Sequence, residues 1–228
     1  MLIPFTDPQC PWTSFALGPM ITCEQRLCSW VRQPSNSWSN LIFLVLVVAF
    51  FQDARRSGNR VVRDFAWIGA FLGLFSFFAH ASQTYLFSTL DYLMQFAVIG
   101  YILALNLLRA GVVKLPFPLL YTGIFLVATA AQLFFTRPGM MIFTLMTGAA
   151  VLSEMYLMGT RPKTSRRGFF EAALLLLAGT ICFALDAKKT VCFPENHFFQ
   201  LHSWWHVLTA AALFYLVKYY RQFEKLRR

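Results

Sequence analysis

Ionisable side chains stand inside stretches that are otherwise apolar, and three of them are histidines. His80 closes the motif that begins at Ser76 (SFFAH), and His202 and His206 bound the motif HSWWH. Residues four apart share one face of a helix and are separated by about 6 Å along its axis. Two imidazoles from one helix and a third from a neighbour can therefore approach a single ion. This pattern predicts three neutral nitrogen ligands with one open coordination position, the arrangement of catalytic zinc.

Carboxylates occur in the same apolar stretches. Asp91 and Asp186 are expected at the level of the histidines, whereas Glu154 falls near the opposite end of its stretch. Ionisable groups inside a bilayer are costly and usually functional. We expect Asp91 to be a general acid and base. Asp186 would orient a neighbouring group, pair with Lys188 or act in the chemistry itself. Glu154 is expected to reach the membrane interface.

Zinc held by three histidines lowers the pKa of a bound water to about 7. Asp91 would take the proton of that water and return it to the leaving group. Ser76, one turn from His80, would hold the water or donate to the developing oxyanion. A single membrane histidine is more often an interhelical hydrogen-bond partner, and haem held by histidines of two helices is a second alternative. An Asp and a Ser at the same level favour zinc-dependent hydrolysis over haem binding, because haem ligation needs no general base.

The composition of the chain indicates the class of protein whose helices must position these residues. The chain has 228 residues, of which 57% are hydrophobic and 13% charged, whereas a soluble domain has about 25% charged residues. This balance excludes an ordinary soluble globular protein. The net charge of +10 is compatible with nucleic acid, with anionic lipid or with asymmetric loops around membrane spans.

Seven apolar stretches are long enough to be membrane spans of roughly 20 residues. Turn-forming residues separate them, as at 136–139, and a polar loop occupies 161–167. The sequence therefore predicts a single all-α membrane domain over residues 1–228, a seven-transmembrane helix bundle preceded by an extramembrane segment at 1–36 with no removable signal peptide. The predicted spans are 38–52, 65–81, 85–108, 117–135, 140–158, 169–185 and 198–220.

The distribution of basic residues predicts the orientation of the bundle. Fifteen of the 20 Lys and Arg fall in the first, third and fifth interhelical loops and at the C-terminus, and that side is cytoplasmic by the positive-inside rule. The N-terminus would face outside or into a lumen, and the site would open toward the non-cytoplasmic side. Topology then accounts for the positive charge, so we expect no nucleic-acid partner. The substrate should be a membrane lipid or amphiphile, in the plasma or inner membrane or an endomembrane.

Four of the five cysteines fall in segments assigned to the non-cytoplasmic side: Cys10, Cys23, Cys28 and Cys192. Disulfides form in such compartments. We therefore expect a disulfide between the N-terminal segment and the loop before the last span. The alternative is that the cysteines are separate small hydrophobic residues.

Three blocks of sequence, in order and spread over most of the chain, resemble the alkaline ceramidase family. The first is CEQRL followed by NSWSN, the second is SFFAHASQTYLFSTLDYLMQF, and the third is LDAKKTVCFPENHFFQLHSWWH. The family belongs to the CREST superfamily of seven-span membrane hydrolases, which also includes adiponectin-type receptors. The resemblance implies hydrolysis of the amide bond of ceramide or another N-acyl lipid. The alternative is a receptor-like protein that binds zinc but catalyses no reaction.

The resemblance also implies roles for individual residues: zinc at His80, His202 and His206, with Ser76 and Asp91 completing the site, and a disulfide between Cys23 and Cys192. Ceramidases carry an N-terminal calcium site built from several acidic residues. Only Glu24 clearly remains of these, and Thr22, Gln25, Arg26 and Gln33 occupy the rest of the region. Because calcium prefers carboxylates, we expect no calcium site here.

Overall fold

The computed structural model describes residues 8–134, 139–160 and 165–227. Within these ranges the regular structure is helical, with one isolated β-bridge between Leu17 and Thr84. The predicted turn residues 136–138, the predicted end of the fourth span at 135 and the loop residues 161–164 lie outside the described residues. The helices are α1 (Pro34–Trp38), α2 (Leu41–Ser57), α3 (Arg60–Ser82), α4 (Tyr85–Ala110), α5 (Phe117–Phe134), α6 (Gly139–Thr160), α7 (Arg167–Ala187) and α8 (Leu201–Tyr220), followed by 3-10 turns at Arg221–Arg227.

In the part of the chain that the structure describes, six helical segments are long and apolar enough to cross a membrane: Pro34–Ser57, which joins α1 and α2, and the five helices α3 to α7. This is the pattern of a multi-pass membrane protein. The last long helix, α8, has 20 residues but is not among these six, and it contains His202, His206 and Lys218. The seven predicted ranges overlap these segments and α8, with differences of a few residues at their ends; that α8 is a seventh span stays a prediction.

The differences at helix ends have a local cause. The helix α3 begins at Arg60, before the apolar stretch, because the Asn59 side chain accepts a hydrogen bond from the Val62 N–H at 3.1 Å and caps the helix. Gly58, with φ +68°, ends α2 in the left-handed conformation that glycine adopts without strain. Charged residues therefore continue the helices beyond the apolar spans that hydropathy detects.

The helix α3 lies between α2 and α4 and also contacts α8, while α7 packs along α8. Two glycines allow this close packing. A Cβ at Gly73 would lie 2.8 Å from the Phe43 side chain on α2, and one at Gly179 would lie 3.1 Å from the Trp205 ring on α8. The packing brings α3 and α8, which carry the three candidate histidines, to the same part of the bundle.

Two disulfides hold the N-terminal segment in place: Cys10–Cys28, and Cys23–Cys192 with a Cα–Cα distance of 5.5 Å. The second is the predicted connection to the loop before α8, and the first was not predicted. The segment also accepts a backbone hydrogen bond from Tyr85, at the start of α4. It therefore packs against the α3–α4 and α7–α8 connections, at the helix ends nearest the histidines.

The prediction that Glu154 reaches the membrane interface was wrong. Its side chain is fully buried and accepts hydrogen bonds from Arg109 Nη1 at 2.5 Å and from the Tyr220 hydroxyl at 2.8 Å, with Tyr219 as a further donor. The reason is that α6 packs on α4. The Arg109 side chain lies inside the bundle, where it provides a counter-charge that the sequence pattern did not reveal.

Candidate metal centre

The three histidines predicted to converge do so. His80 comes from α3, His202 and His206 come from α8, and all three are buried. The centroid of the His80 ring lies 4.8 Å from that of His202 and 5.0 Å from that of His206. One ring nitrogen of each histidine lies within 4.8 Å of the other two. Three neutral imidazoles at this separation form a group that can hold a metal ion.

The ring of His80 is oriented by Gln33, from the N-terminal segment. Gln33 Oε1 lies 3.0 Å from His80 Nδ1, and Gln33 Nε2 donates to the Glu24 carbonyl at 2.8 Å. Because the two amide N–H groups of Gln33 are directed at the Glu24 carbonyl and at Thr22 Oγ1, its Oε1 must accept from His80, so the proton is assigned to Nδ1. His80 Nε2 is buried, and within the described parts of the chain no group hydrogen-bonds to it. Its lone pair is therefore available to a ligand.

A residue between α1 and α2 orients His206. The Nδ1 atom of His206 lies 2.8 Å from Ser39 Oγ; the Asn40 amide nitrogen, 3.2 Å from the same atom, is a donor and cannot accept the Nδ1 proton. Ser39 donates its own proton to the Asn36 carbonyl at 3.0 Å, so its oxygen can accept from His206 Nδ1. Metal-binding histidines usually donate their second ring N–H in this way, which fixes the ring and increases its basicity.

Asp186 lies beside His202, and among the described residues it forms no ion pair with Lys188, which was one of the alternatives. Its Oδ2 accepts a hydrogen bond from the Cys23 N–H at 3.0 Å and lies 3.8 Å from His202 Nδ1. The second distance is too long for a hydrogen bond, and His202 Nδ1 is buried without a hydrogen-bond partner among the described residues. Asp186 therefore holds the disulfide-bonded N-terminal segment beside the ring of His202.

Ser76 and Asp91 are both buried, each with 5% of its surface exposed. Ser76 precedes His80 by one turn of α3, and its hydroxyl is a neighbour of the Asp91 carboxyl group on α4. Asp91 Oδ2 accepts from Gln95 Nε2 at 3.0 Å. Asp91 Oδ1 is buried without a hydrogen-bond partner among the residues described. That oxygen is available to water or substrate.

Glu24 has a structural role. Its two carboxylate oxygens accept from the Ser35 and Asn36 N–H groups, each at 2.9 Å, and one also contacts His197 Nδ1 at 3.1 Å. These N–H groups lie in the first turn of α1, where they lack partners within the helix. Burial raises the pKa of Glu24, and the hydrogen bonds act in the opposite direction. N–H donors therefore contact both carboxylate oxygens, and Glu24 holds the N-terminal segment at the start of α1; that no calcium binds here stays a prediction.

Three residues that contact the histidines were assigned no role from the sequence. Ser39 and Asn40 lie in the NSWSN block, which was noted only as part of a resemblance, and Gln33 was noted only as a replacement in the calcium region. The spacing of loop residues carries no periodic signal that would connect them to His80 or His206.

Replacing Gln33 with Leu is expected to weaken Zn²⁺ binding by about 10- to 100-fold, because His80 loses the acceptor that holds its ring. Titration with a competing chelator would measure the affinity. Gln33→Glu keeps an acceptor at Nδ1 and should keep most of the affinity. Gln83→Asn is the control, since Gln83 donates to Gln33 at 2.7 Å but does not contact His80. Equal losses in Q33L and Q83N would contradict the role of Gln33.

A comparison with curated proteins found no match. The family model described as Ceramidase matches residues 23–227, a range that contains the three histidines, Ser76 and Asp91. This confirms the resemblance, and it indicates a hydrolase that acts on the amide bond of ceramide. Because the match covers most of the chain, the chain belongs to the ceramidase family.

Proposed function

We propose that this protein is a zinc-dependent intramembrane hydrolase that cleaves the amide bond of ceramide or a related N-acyl lipid. The observation that carries the proposal is the convergence of His80, His202 and His206, whose candidate ligand nitrogens lie within 4.8 Å of one another. Membership of the ceramidase family supports the reaction class.

The donor set fits zinc. Three imidazole nitrogens with an open fourth position are typical of catalytic zinc sites, whereas calcium and magnesium prefer oxygen ligands. The buried Nε2 of His80, to which no described residue hydrogen-bonds, is suited to a metal, because a buried acceptor without a partner is costly. Zinc bound there would supply a water with a pKa of about 7 and would polarise the amide carbonyl.

Residues of this chain would carry out the proton transfers. We assign the general base and acid to Asp91, which would take a proton from the attacking water and deliver it to the leaving nitrogen. Gln95 holds Asp91 Oδ2, so Oδ1 would exchange the proton. Ser76 would donate a hydrogen bond to the oxygen that develops negative charge. Asp186, which lies near His202 Nδ1, would orient the His202 ring.

The depth of the site favours a lipid substrate. His80 lies at the end of α3, and His202 lies at the start of α8. By the positive-inside rule these ends face the non-cytoplasmic side, with the N-terminus outside or in a lumen and seven spans including α8. A group cleaved at this level would come from a molecule that lies in the outer part of the bilayer.

Two alternatives predict different results. A receptor-like protein would keep the metal without turnover, and a haem carrier would show a strong visible absorption band. The edge-to-face packing of the histidine rings, with centroids 4.8–5.0 Å apart, leaves no space for a porphyrin between them. This observation favours a single small ion.

The proposal is tested with purified full-length protein in lipid nanodiscs. We expect about one zinc per chain by elemental analysis, and release of fatty acid from labelled ceramide that stops when a chelator removes the metal and returns when zinc is added. Protein that is fully loaded with zinc but releases no fatty acid from a broad panel of N-acyl lipids would contradict the enzyme assignment and favour the receptor.

A further inference from the structure

Four arginines surround the connection between α2 and α3. Arg55 and Arg56 lie in the last turn of α2, and Arg60 and Arg63 lie in the first turn of α3. All four residues are exposed. No ion pair joins any of them to a residue in the described ranges 8–134, 139–160 and 165–227. Within the described structure, therefore, no carboxylate neutralises their charges.

The carboxylates nearest to these arginines in sequence are engaged by the 3-10 turns at Arg221–Arg227. Asp53, on α2, pairs with Arg221 at 2.8 Å. Asp64, on α3, pairs with Arg227. Because each of these two carboxylates has a cation of its own, neither is left to pair with the exposed arginines.

The 3-10 turns and the α2–α3 connection form one continuous surface. Glu224, in the 3-10 turns, accepts a hydrogen bond from the Arg60 N–H at 3.0 Å. Residues 53–64 and 221–227 together carry seven basic and three acidic side chains, which leaves four positive charges in excess. We call the exposed arginines of this region the basic surface: Arg55, Arg56, Arg60 and Arg63.

An exposed aromatic ring continues the basic surface into the apolar part of α3. Trp67 follows Arg63 by four residues, so the two side chains share one face of the helix. Trp67 is 55% exposed, and its ring packs edge-on against Phe51 of α2 at a centroid distance of 5.0 Å. Exposed tryptophans on membrane helices are typical of the interface between headgroups and acyl chains. Arg63 and Arg60 are nearer to the helix end, which puts them at the level of the headgroups.

We propose that the basic surface binds the phosphate groups of anionic lipids in the adjoining leaflet, which the positive-inside rule makes the cytoplasmic one. Guanidinium groups form bidentate hydrogen bonds with phosphate oxygens, and clusters of basic residues beside a membrane helix attract anionic lipids. The position beside Trp67 favours a lipid headgroup over a soluble polyanion, because the partner must lie where the aromatic ring meets the acyl chains. The binding does not depend on hydrolysis at the metal centre, so it goes beyond the proposed function.

The experiment compares two lipids with the same acyl chains, phosphatidylglycerol, which is anionic, and phosphatidylcholine, which is zwitterionic. Each is titrated into the purified full-length protein in mixed micelles, and native mass spectrometry gives the two Kd values. The wild-type protein should bind phosphatidylglycerol more tightly, and added salt should reduce the difference. In the double variant Arg60→Gln, Arg63→Gln the ratio of the two Kd values should fall by about fivefold for each arginine removed.

Two further variants show whether charge is the cause. Arg60→Lys, Arg63→Lys keeps both charges and should retain most of the preference. Lys188→Gln, Lys189→Gln removes two exposed charges at the opposite end of the bundle and should leave the ratio unchanged. Equal Kd values of the wild type for the two lipids, or an unchanged ratio when all four arginines are replaced by glutamine, would overturn the proposal. Glycerol 3-phosphate should not displace the bound lipid, and displacement at equal concentration would show a site for soluble phosphate instead.

Discussion

Asp91→Asn is expected to lower kcat for ceramide hydrolysis by about 10²- to 10⁴-fold, the usual contribution of a general acid and base. The substitution keeps the size of the side chain and an oxygen that can accept from Gln95, which lies 3.0 Å from Asp91 Oδ2. It removes the group that exchanges the proton. Release of labelled fatty acid under saturating substrate measures the effect.

Zinc content and a matched variant decide how this result is interpreted. Asp91→Asn should bind zinc as the wild type does, because Asp91 is not among the three grouped ligands. Asp53→Asn makes the same chemical change at a half-exposed carboxylate that pairs with Arg221 at 2.8 Å, and it should retain activity. Activity within threefold of wild type in Asp91→Asn would contradict the role of Asp91 as general base and acid.

Glu154→Ala is expected to lower the free energy of unfolding by about 3–5 kcal/mol, because it leaves the buried Arg109 guanidinium without its counter-charge. Arg109 and Glu154 are 2.5 Å apart, with 6% and 0% of their side-chain surfaces exposed. The Tyr220 hydroxyl would also lose its acceptor at 2.8 Å. Reversible unfolding in mixed micelles would give the free energy, and the change should appear as a clear loss of Tm.

Two comparisons test this explanation. Glu171→Ala removes an i,i+4 pair with Arg167 that is exposed, so it should change the Tm little. The double variant Arg109→Met, Glu154→Leu removes both charges and should recover most of the stability lost in Glu154→Ala. If the double variant is less stable than Glu154→Ala, the penalty of an unpaired buried charge is not the cause.

The sequence by itself was enough to predict the membrane class, the approximate bounds of the long helices and the convergence of the three histidines. These features depend on local regularities. Apolar residues continue for about the length of a bilayer crossing, and the spacing of four residues puts His202 and His206 on one helix face. The high cost of an ionisable group in lipid then indicates that such a residue has a specific partner or role, but not which, since Glu154 is part of a buried ion pair. The start of α3 was missed because Asn59 caps it outside the apolar stretch.

Only the tertiary structure decided which groups hold the histidines and which charges are paired. Gln33 meets His80 across 47 residues, and Ser39 meets His206 across 167. Glu154 is buried because α6 packs on α4 and brings Arg109 to it. Such contacts depend on how helices pack and on where a disulfide-bonded segment lies. Helical periodicity describes one element at a time, so it cannot specify contacts between residues that are distant in sequence.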